Sequence, residues 1–327
     1  MKNKSVRIGS RGSELALWQA RWVAGELVRR HRGLDVSVSV IRTKGDKILD
    51  SPLSAMGDKG LFTREIEHAL LRGEIDIAVH SLKDLPTALP DGLALGAICR
   101  REDVRDVFIP HPSNPVRTLV DQPRGATIAT GSLRRKCQLL SFRSDFAIAD
   151  IRGNLNTRLA KLDQSSWEGM VLAKAGVVRL GWESRIGETI EPEVILPAVG
   201  QGALAVETRS DDRRIAGLVK PLEHEPTRRA AEAERALLAG LQGGCQVPIG
   251  AYARIELDAR GDRTLTLSAM VGSLDGTAIV RGRTHGTPED AGMLGGRLAD
   301  TLRQAGAGKI LDEIRQSAPA GVADVEA

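Results

Sequence analysis

The sequence predicts an α/β protein followed by a small α+β domain, and three observations carry that reading. Strand-like and helix-like segments alternate through residues 6–79 and again through 126–176. After about residue 222 the alternation stops, and a helix leads into three closely spaced strand-like runs. Aromatic residues make up only 3% of the 327, so the cores must be aliphatic, built from Val, Ile, Leu and Ala.

In order, "VRIGS" (6–10) reads as a short strand and 13–30 as a helix capped by Ser13. Leu15, Trp18, Trp22, Val23 and Leu27 fall at helical spacing on that helix. "VSVSVIR" (36–42) has Val at every second position, the period of a strand. A helix is expected at 63–72, then "IDIAV" (75–79), an apolar run suited to a buried parallel strand. The rhythm resumes with strands at 126–130, 146–151 and 169–176 and with helices starting near 132 and 154. The later strands are expected at 249–257, 264–271 and 279–284. Ala- and Gly-rich helices finish the chain, and its end reads as a frayed tail.

The length allows two or three domains, each with its own core. Hydrophobic residues at 42% and charged residues at 27% match a globular protein rather than a disordered one. No apolar run approaches a membrane span, and the start, "MKNKSVRIGS", has no apolar segment of the secretory kind. A cytoplasmic protein without a membrane partner is expected. Three cysteines do not make a disulfide framework, and the six scattered histidines form no zinc-ligand spacing with them. No metal is expected.

"HSLKDLP" (80–86) follows the apolar strand. Ligands of open α/β sheets sit beyond strand C-termini, so Lys83 and Asp84 read either as a surface pair or as a site. A buried carboxylate at Asp84 would handle protons or stabilise a developing cation. The connection 43–60, rich in Gly, Asp and Lys, reads either as an active-site lid or as disorder.

The strongest electrostatic signal lies at 132–158. Arg134, Arg135, Lys136, Arg143, Arg152 and Arg158 face only Asp145 and Asp150, a surplus equal to the +4 of the whole chain. "TGSLRR" sets Thr130 and Ser132 at a helix start, and "IRGNLNTR" repeats the device with Gly153, Asn154 as N-cap and Arg158 one turn in. Two such starts make a polyanion cradle; the alternative is a basic surface face. Few aromatics and no basic tail argue against nucleic acid, and no phosphate-loop motif is present. Arginine forks suit a small molecule with several carboxylates. Finally, "LQGGCQVPIG" puts Cys245 on a glycine-rich turn, an unlikely place for core filler, whereas Cys99 and Cys137 read as packed and His80 as a hydrogen-bonded structural residue.

These motifs together resemble the hydroxymethylbilane synthase (porphobilinogen deaminase) family. The matching pieces, in order over 9–253, are "GSRGSELALWQA", "TKGDKILDSPL", "KGLFTREIEHALL", "DIAVHSLKDLP", "GSLRRKCQL", "IRGNLNTRLAKLD", "LPAVGQGALAVE" and "GGCQVPIGAYA". The resemblance implies two domains like type II periplasmic binding proteins with the active cleft between them, plus a small C-terminal α+β domain with a three-stranded antiparallel sheet. Domain 1 would be 1–100 with 200–220, domain 2 101–199, domain 3 221–315, and 316–327 a flexible tail.

It also implies the reaction. Four porphobilinogen molecules are joined head to tail with release of ammonia, and the chain is then hydrolysed to hydroxymethylbilane, on the way to heme and other tetrapyrroles. The primer is a dipyrromethane cofactor held by a thioether, which the motif places at Cys245. Asp84 matches the catalytic aspartate, suited to an azafulvenium-like cation forming as the amine leaves. Lys83, Asp84, Thr130, Ser132, Arg134, Arg135, Arg152, Gly153 and Arg158 match cofactor binders. Arg11, Ser13, Gln19, Phe62, Arg152, Arg158 and Arg179 match substrate binders. Ala55 and Asp58 depart from the lysine and glycine common in the family, so the 43–60 loop carries less positive charge, with Lys59 kept. A monomer is expected. The competing reading is a non-catalytic polycarboxylate-binding protein on the same scaffold, which needs no thiol on a Gly-Gly loop.

Overall fold

The computed structural model describes residues 5–43, 63–243, 247–257 and 260–317. The chain divides into two compact units, the first formed by 1–49, 58–102 and 202–228, the second by 50–57, 103–201 and 229–327.

The first unit opens with β1 (Ser5–Ser10), α1 (Glu14–Arg30) and β2 (Asp35–Val40). Ser13 starts α1 as expected: its hydroxyl accepts a hydrogen bond from the Ala16 N–H. The buried stripe of α1 is Gln19, Ala20, Val23 and Leu27, and Trp22, expected on that stripe, is exposed. Next come α2 (Arg64–Leu71), β3 (Ile77–Ser81), a 3₁₀ turn at Leu82–Asp84 and β4 (Leu93–Ile98). The strand expected at 75–79 thus runs two residues further, to Ser81.

The chain then builds the second unit: β5 (Asp106–Pro110), β6 (Thr127–Ala129), α3 (Leu133–Phe142), β7 (Ala147–Ala149), α4 (Leu155–Asp163), β8 (Gly169–Ala173), α5 (Lys174–Arg179) and β9 (Glu188–Ile190). It returns to the first unit with β10 (Leu204–Arg209) and α6 (Arg213–Val219), and α7 (Glu225–Gly240) follows. The chain ends with β11 (Ile249–Leu257), β12 (Arg263–Gly272), β13 (Ile279–Gly286), α8 (Ala291–Leu302) and α9 (Gly308–Ser317).

The two large sheets share one plan. The first has the order β2-β1-β3-β10-β4, the second β7-β6-β8-β5-β9. In each, three strands are parallel and the fourth in order is antiparallel to both neighbours: β10 lies between β3 and β4, β5 between β8 and β9. This doubled plan, two mixed sheets of five strands with the same order, is that of the two α/β domains expected. β3 is therefore parallel to β1 only, not on both sides as its apolar run suggested. The third sheet, β11-β12-β13, is antiparallel throughout.

Both large sheets are covered on two faces. Val79 and Val206 meet Ala20, Val23 and Leu27 of α1, while Ala78 meets Ile66, Ala69 and Leu70 of α2. In the second unit Phe108 faces one layer, and Val107 and Ile109 face the other. The third sheet packs Ala251, Leu267 and Ala269 on Leu237, Leu294 and Leu298.

Segment 196–201 ties the parts of the second unit together. Gln138 of α3 accepts from the Leu196 N–H at 2.8 Å, and the Ala251 N–H of β11 donates to the Pro197 carbonyl at 2.9 Å. The fully buried Glu234 of α7 accepts from Gly200 at 2.7 Å and from Ala253 at 2.7 Å, so its carboxylate is satisfied by backbone donors.

Candidate functional site

In the first unit β1 and β3 are parallel neighbours, so their C-terminal ends open on the same sheet edge. That edge gathers the segment Ser10–Ser13 and the turn Leu82–Asp84. The turn is held by the Leu82 N–H donating to the Ala203 carbonyl at 3.0 Å, and the Leu85 N–H closes it onto the Leu82 carbonyl. Gln19, 2% exposed, donates its side-chain amide to the Ser81 hydroxyl at 2.9 Å. It braces the turn from α1, so its amide is already committed in this structure. Lys83 and Arg11 are half-buried, and Asp84 is exposed. Asp84 thus faces solvent at the end of the turn rather than lying buried.

In the second unit β6 and β7 are parallel neighbours, and each ends in a capped helix start. The Ser132 hydroxyl accepts from the Arg135 N–H at 3.4 Å, and the Asn154 side chain accepts from the Thr157 N–H at 2.9 Å. Thr130 is 4% exposed, and its hydroxyl accepts from the Ser132 N–H at 3.2 Å. The two starts touch: a Cβ on Gly131 would lie 2.6 Å from the Ile151 carbonyl, so only glycine lets the loops approach this closely. Gly153 has φ +111°, and a Cβ there would lie 2.7 Å from Thr157.

The arginines of these two starts part company. Arg152 pairs with Asp150 at 3.0 Å, with side chains 22% and 57% exposed, and Arg158 donates to the Gly153 carbonyl at 2.8 Å. Both are half-buried, as is Arg179 at the end of α5. Arg134 and Arg135, only 4% and 5% exposed, instead turn into the core onto Asp106 of β5. Arg134 donates to one carboxylate oxygen at 2.8 Å and Arg135 to the other at 2.9 Å. Gln201 adds a third bond to Asp106 at 2.8 Å. Arg134 also donates to the Leu196 carbonyl, and Arg135 to the Val171 carbonyl at 3.1 Å. Burial by itself would raise the Asp106 pKa, but the two guanidinium groups outweigh it and hold the carboxyl well below its usual range. Burial lowers the Arg134 pKa, against the pull of Asp106. The expectation of one open cradle holding all four arginines is thus corrected. Two of them carry a buried counter-charge, though the Nε–H of each lacks a partner among the described residues.

Asp106 was not singled out in the sequence, and neither was Glu207, which bonds His80. For Glu207 the available signal was an acidic residue directly after the apolar run 204–206, which demands a buried partner, whereas Asp106 follows Glu102, Asp103 and Arg105 and carried no such signal. Cys245, Phe62 and the segment 44–60, with Ala55, Asp58 and Lys59, lie outside the described residues, as does 318–327. Cys99 and Cys137 are buried, and burial pushes the Cys137 thiol up to about 12. Among the described residues no group of His, Cys, Asp and Glu could hold a metal, and no helix is long and apolar enough to cross a membrane.

Comparison with known proteins places this geometry. Residues 6–217 match the family described as porphobilinogen deaminase, dipyromethane cofactor binding domain, and residues 229–304 match the porphobilinogen deaminase C-terminal domain. The chain is 49% identical over 315 residues to a porphobilinogen deaminase of Desulforamulus reducens, covering 96% of this chain and 99% of that one. It is 51% identical over 318 residues to the enzyme of Chlorobium luteolum, covering 96% and 99%. Against that of Desulfitobacterium hafniense it is 52% identical over 312 residues, covering 95% and 98%. Among solved structures, the methionine-binding protein MetQ aligns over 73% of this chain and 95% of its own, at 14% identity and a TM-score of 0.41. The chain belongs to the porphobilinogen deaminase family. It is a transferase with hydroxymethylbilane synthase activity in tetrapyrrole biosynthesis, and it carries the dipyrromethane-binding domain.

Proposed function

We propose that this chain holds its dipyrromethane by a thioether at Cys245 and uses Asp84 as the catalytic carboxylate. The observation that carries the reading is the pair of touching, N-capped helix starts that present Arg152 and Arg158 beside Thr130, Ser132 and Gly153.

The cofactor fits that donor set. Its pyrroles bear carboxylate side chains, and the two starts offer backbone N–H groups, two hydroxyls and guanidinium forks of the matching charge. When bound, the dipyrromethane supplies the free pyrrole end to which substrate is joined. Arg152 and Arg158 grip carboxylates directly. Arg134 and Arg135 share the one negative charge of Asp106, so the buried group keeps a net positive charge behind the first helix start, which favours an anion there. Lys83 binds the cofactor from the first unit, and Arg11, Ser13 and Arg179 bind the acid groups of porphobilinogen, with Gln19 bracing the turn that bears Asp84. Asp84 stabilises the cation that forms as ammonia leaves, and it moves the pyrrole protons. Phe62 and the segment 43–60 cover the substrate. The three-domain division stands in this reading as 1–100 with 200–220, 101–199 and 221–315. The protein works as a cytoplasmic monomer without nucleic acid.

Intact-mass measurement tests the reading. The purified protein should carry a mass excess equal to a dipyrromethane, and Cys245→Ser should abolish it. An unmodified yet active wild-type protein would sink the assignment. The same measurement separates the enzyme from a non-catalytic carboxylate binder, which would carry no adduct.

A further inference from the structure

The first unit holds a buried ionisable cluster inside an otherwise apolar layer. The His80 imidazole Nε2 lies 3.0 Å from a Glu207 carboxylate oxygen, with side chains 5% and 0% exposed. Val79 and Val206 face the α1 layer, so their neighbours His80 and Glu207 face α2, among Ile66, Ala69, Leu70 and Ala78. Glu67 of α2, 4% exposed, completes the cluster. Burial pushes its carboxyl above the ordinary range and the charge of Glu207 pushes the same way, against the pull of Thr63, His80 and His68. One oxygen of Glu67 and one of Glu207 have no hydrogen-bond partner among the described residues.

Stability alone does not explain such a cluster. Replacing a buried ion pair by apolar side chains is often neutral or stabilising, and incompletely paired polar groups are costly. Its placement offers a reason. His80 immediately precedes Ser81, which takes the Gln19 amide from the α1 side. The end of β3 is thus gripped from both faces, one residue before the turn that bears Lys83 and Asp84.

We propose that His80 and Glu207 are positioning residues for the reaction, a buried polar cross-link of β3 and β10 on the face covered by α2 that fixes the orientation of the Leu82–Asp84 turn. The inference rests on the role of Asp84 proposed above. A displacement of about 1 Å at a reacting group can cost roughly a hundredfold in rate, so a cross-link at the strand end repays its electrostatic cost in turnover.

Glu207→Leu removes the grip, and Glu207→Gln keeps an acceptor for His80. With cofactor loading verified by intact mass, Glu207→Leu should lower kcat about tenfold or more with KM within about twofold. Glu207→Gln should stay within about threefold of wild type. The combined His80→Leu, Glu207→Leu protein fills the layer with apolar groups; it should melt at or above wild type and still show the loss of kcat. Wild-type turnover in that protein overturns the proposal. So does a kcat loss in Glu207→Gln equal to that in Glu207→Leu, which marks a merely structural role. Asp84→Asn is measured separately: full turnover there removes Asp84 from its role, while the Glu207 series still reports whether this strand end governs rate.

Discussion

Two arginine pairs in the second unit begin from nearly the same local sequence and end in opposite surroundings. Arg134 and Arg135 follow the Ser132 cap, and Arg152 and Arg158 flank the Asn154 cap. The first pair is buried on Asp106, while the second is half-open, one arginine on an exposed aspartate and the other on a backbone carbonyl. The difference teaches that an arginine at a helix start reports only a demand for negative charge. Whether protein or ligand meets that demand depends on what the fold brings opposite. Asp106 lies 28 residues before Arg134 and reaches it through the antiparallel strand inserted beside β8.

The sharpest way to break the comparison is Asp106→Ala. It leaves two buried guanidinium groups without their counter-charge and should cost about 3–5 kcal/mol, read as a fall in the urea midpoint. A loss no greater than that of a surface substitution would show that the pair is not held as described.

Acid titration sharpens the same point. The Asp106 pKa is depressed in the folded protein below its ordinary value of 3.8, so its contribution is fully present above that value. It is lost as pH falls through the lower folded value. The stability gap between wild type and Asp106→Asn should therefore be constant from neutrality down to about pH 4 and narrow only below it. A gap that closes near neutrality would mean that another group titrates.

Gly153→Ala addresses the open pair. At φ +111° with Thr157 2.7 Å from the new Cβ, the substitution should cost about 1–3 kcal/mol and loosen the Asn154 cap. A thermal melt and the kinetics of cofactor loading read the two effects. Arg152→Ala should do the reverse, changing stability by less than about 1 kcal/mol. Its kcat/KM should fall roughly 10- to 100-fold, the worth of one charge-assisted bond to a carboxylate. Unchanged kinetics would return Arg152 to the surface. The smallest effect is expected at Cys137, one turn beyond Arg134 on the buried side. With its thiol pushed up to about 12, it should take no maleimide at neutral pH until the protein is unfolded, as counted by mass.

Much of this architecture is legible locally. Ser13, Ser132 and Asn154 cap the helices they announce, because a cap is a bond within three residues. The third sheet appears almost as its alternation suggests, since hairpin neighbours are adjacent in sequence. Less legible are β5 and β10, whose apolar runs resemble their parallel neighbours although each runs antiparallel to both. Trp22 sits at helical spacing yet faces solvent, and Gln19 takes the buried stripe because Ser81 offers it a partner.

Thus the sequence by itself determined the alternating elements, their caps, the concentration of arginine and the family to which these motifs belong. Each of those depends on chemistry within a short window or on the order of such windows. Only the tertiary structure decided which charges are spent inside the protein: Asp106 against Arg134 and Arg135, and Glu207 against His80, at a separation of 127 residues. Counter-charges of this kind arrive by strand pairing between distant segments. In a low-dielectric interior that pairing, more than the identity of the residue, decides whether an arginine or a histidine is occupied or available.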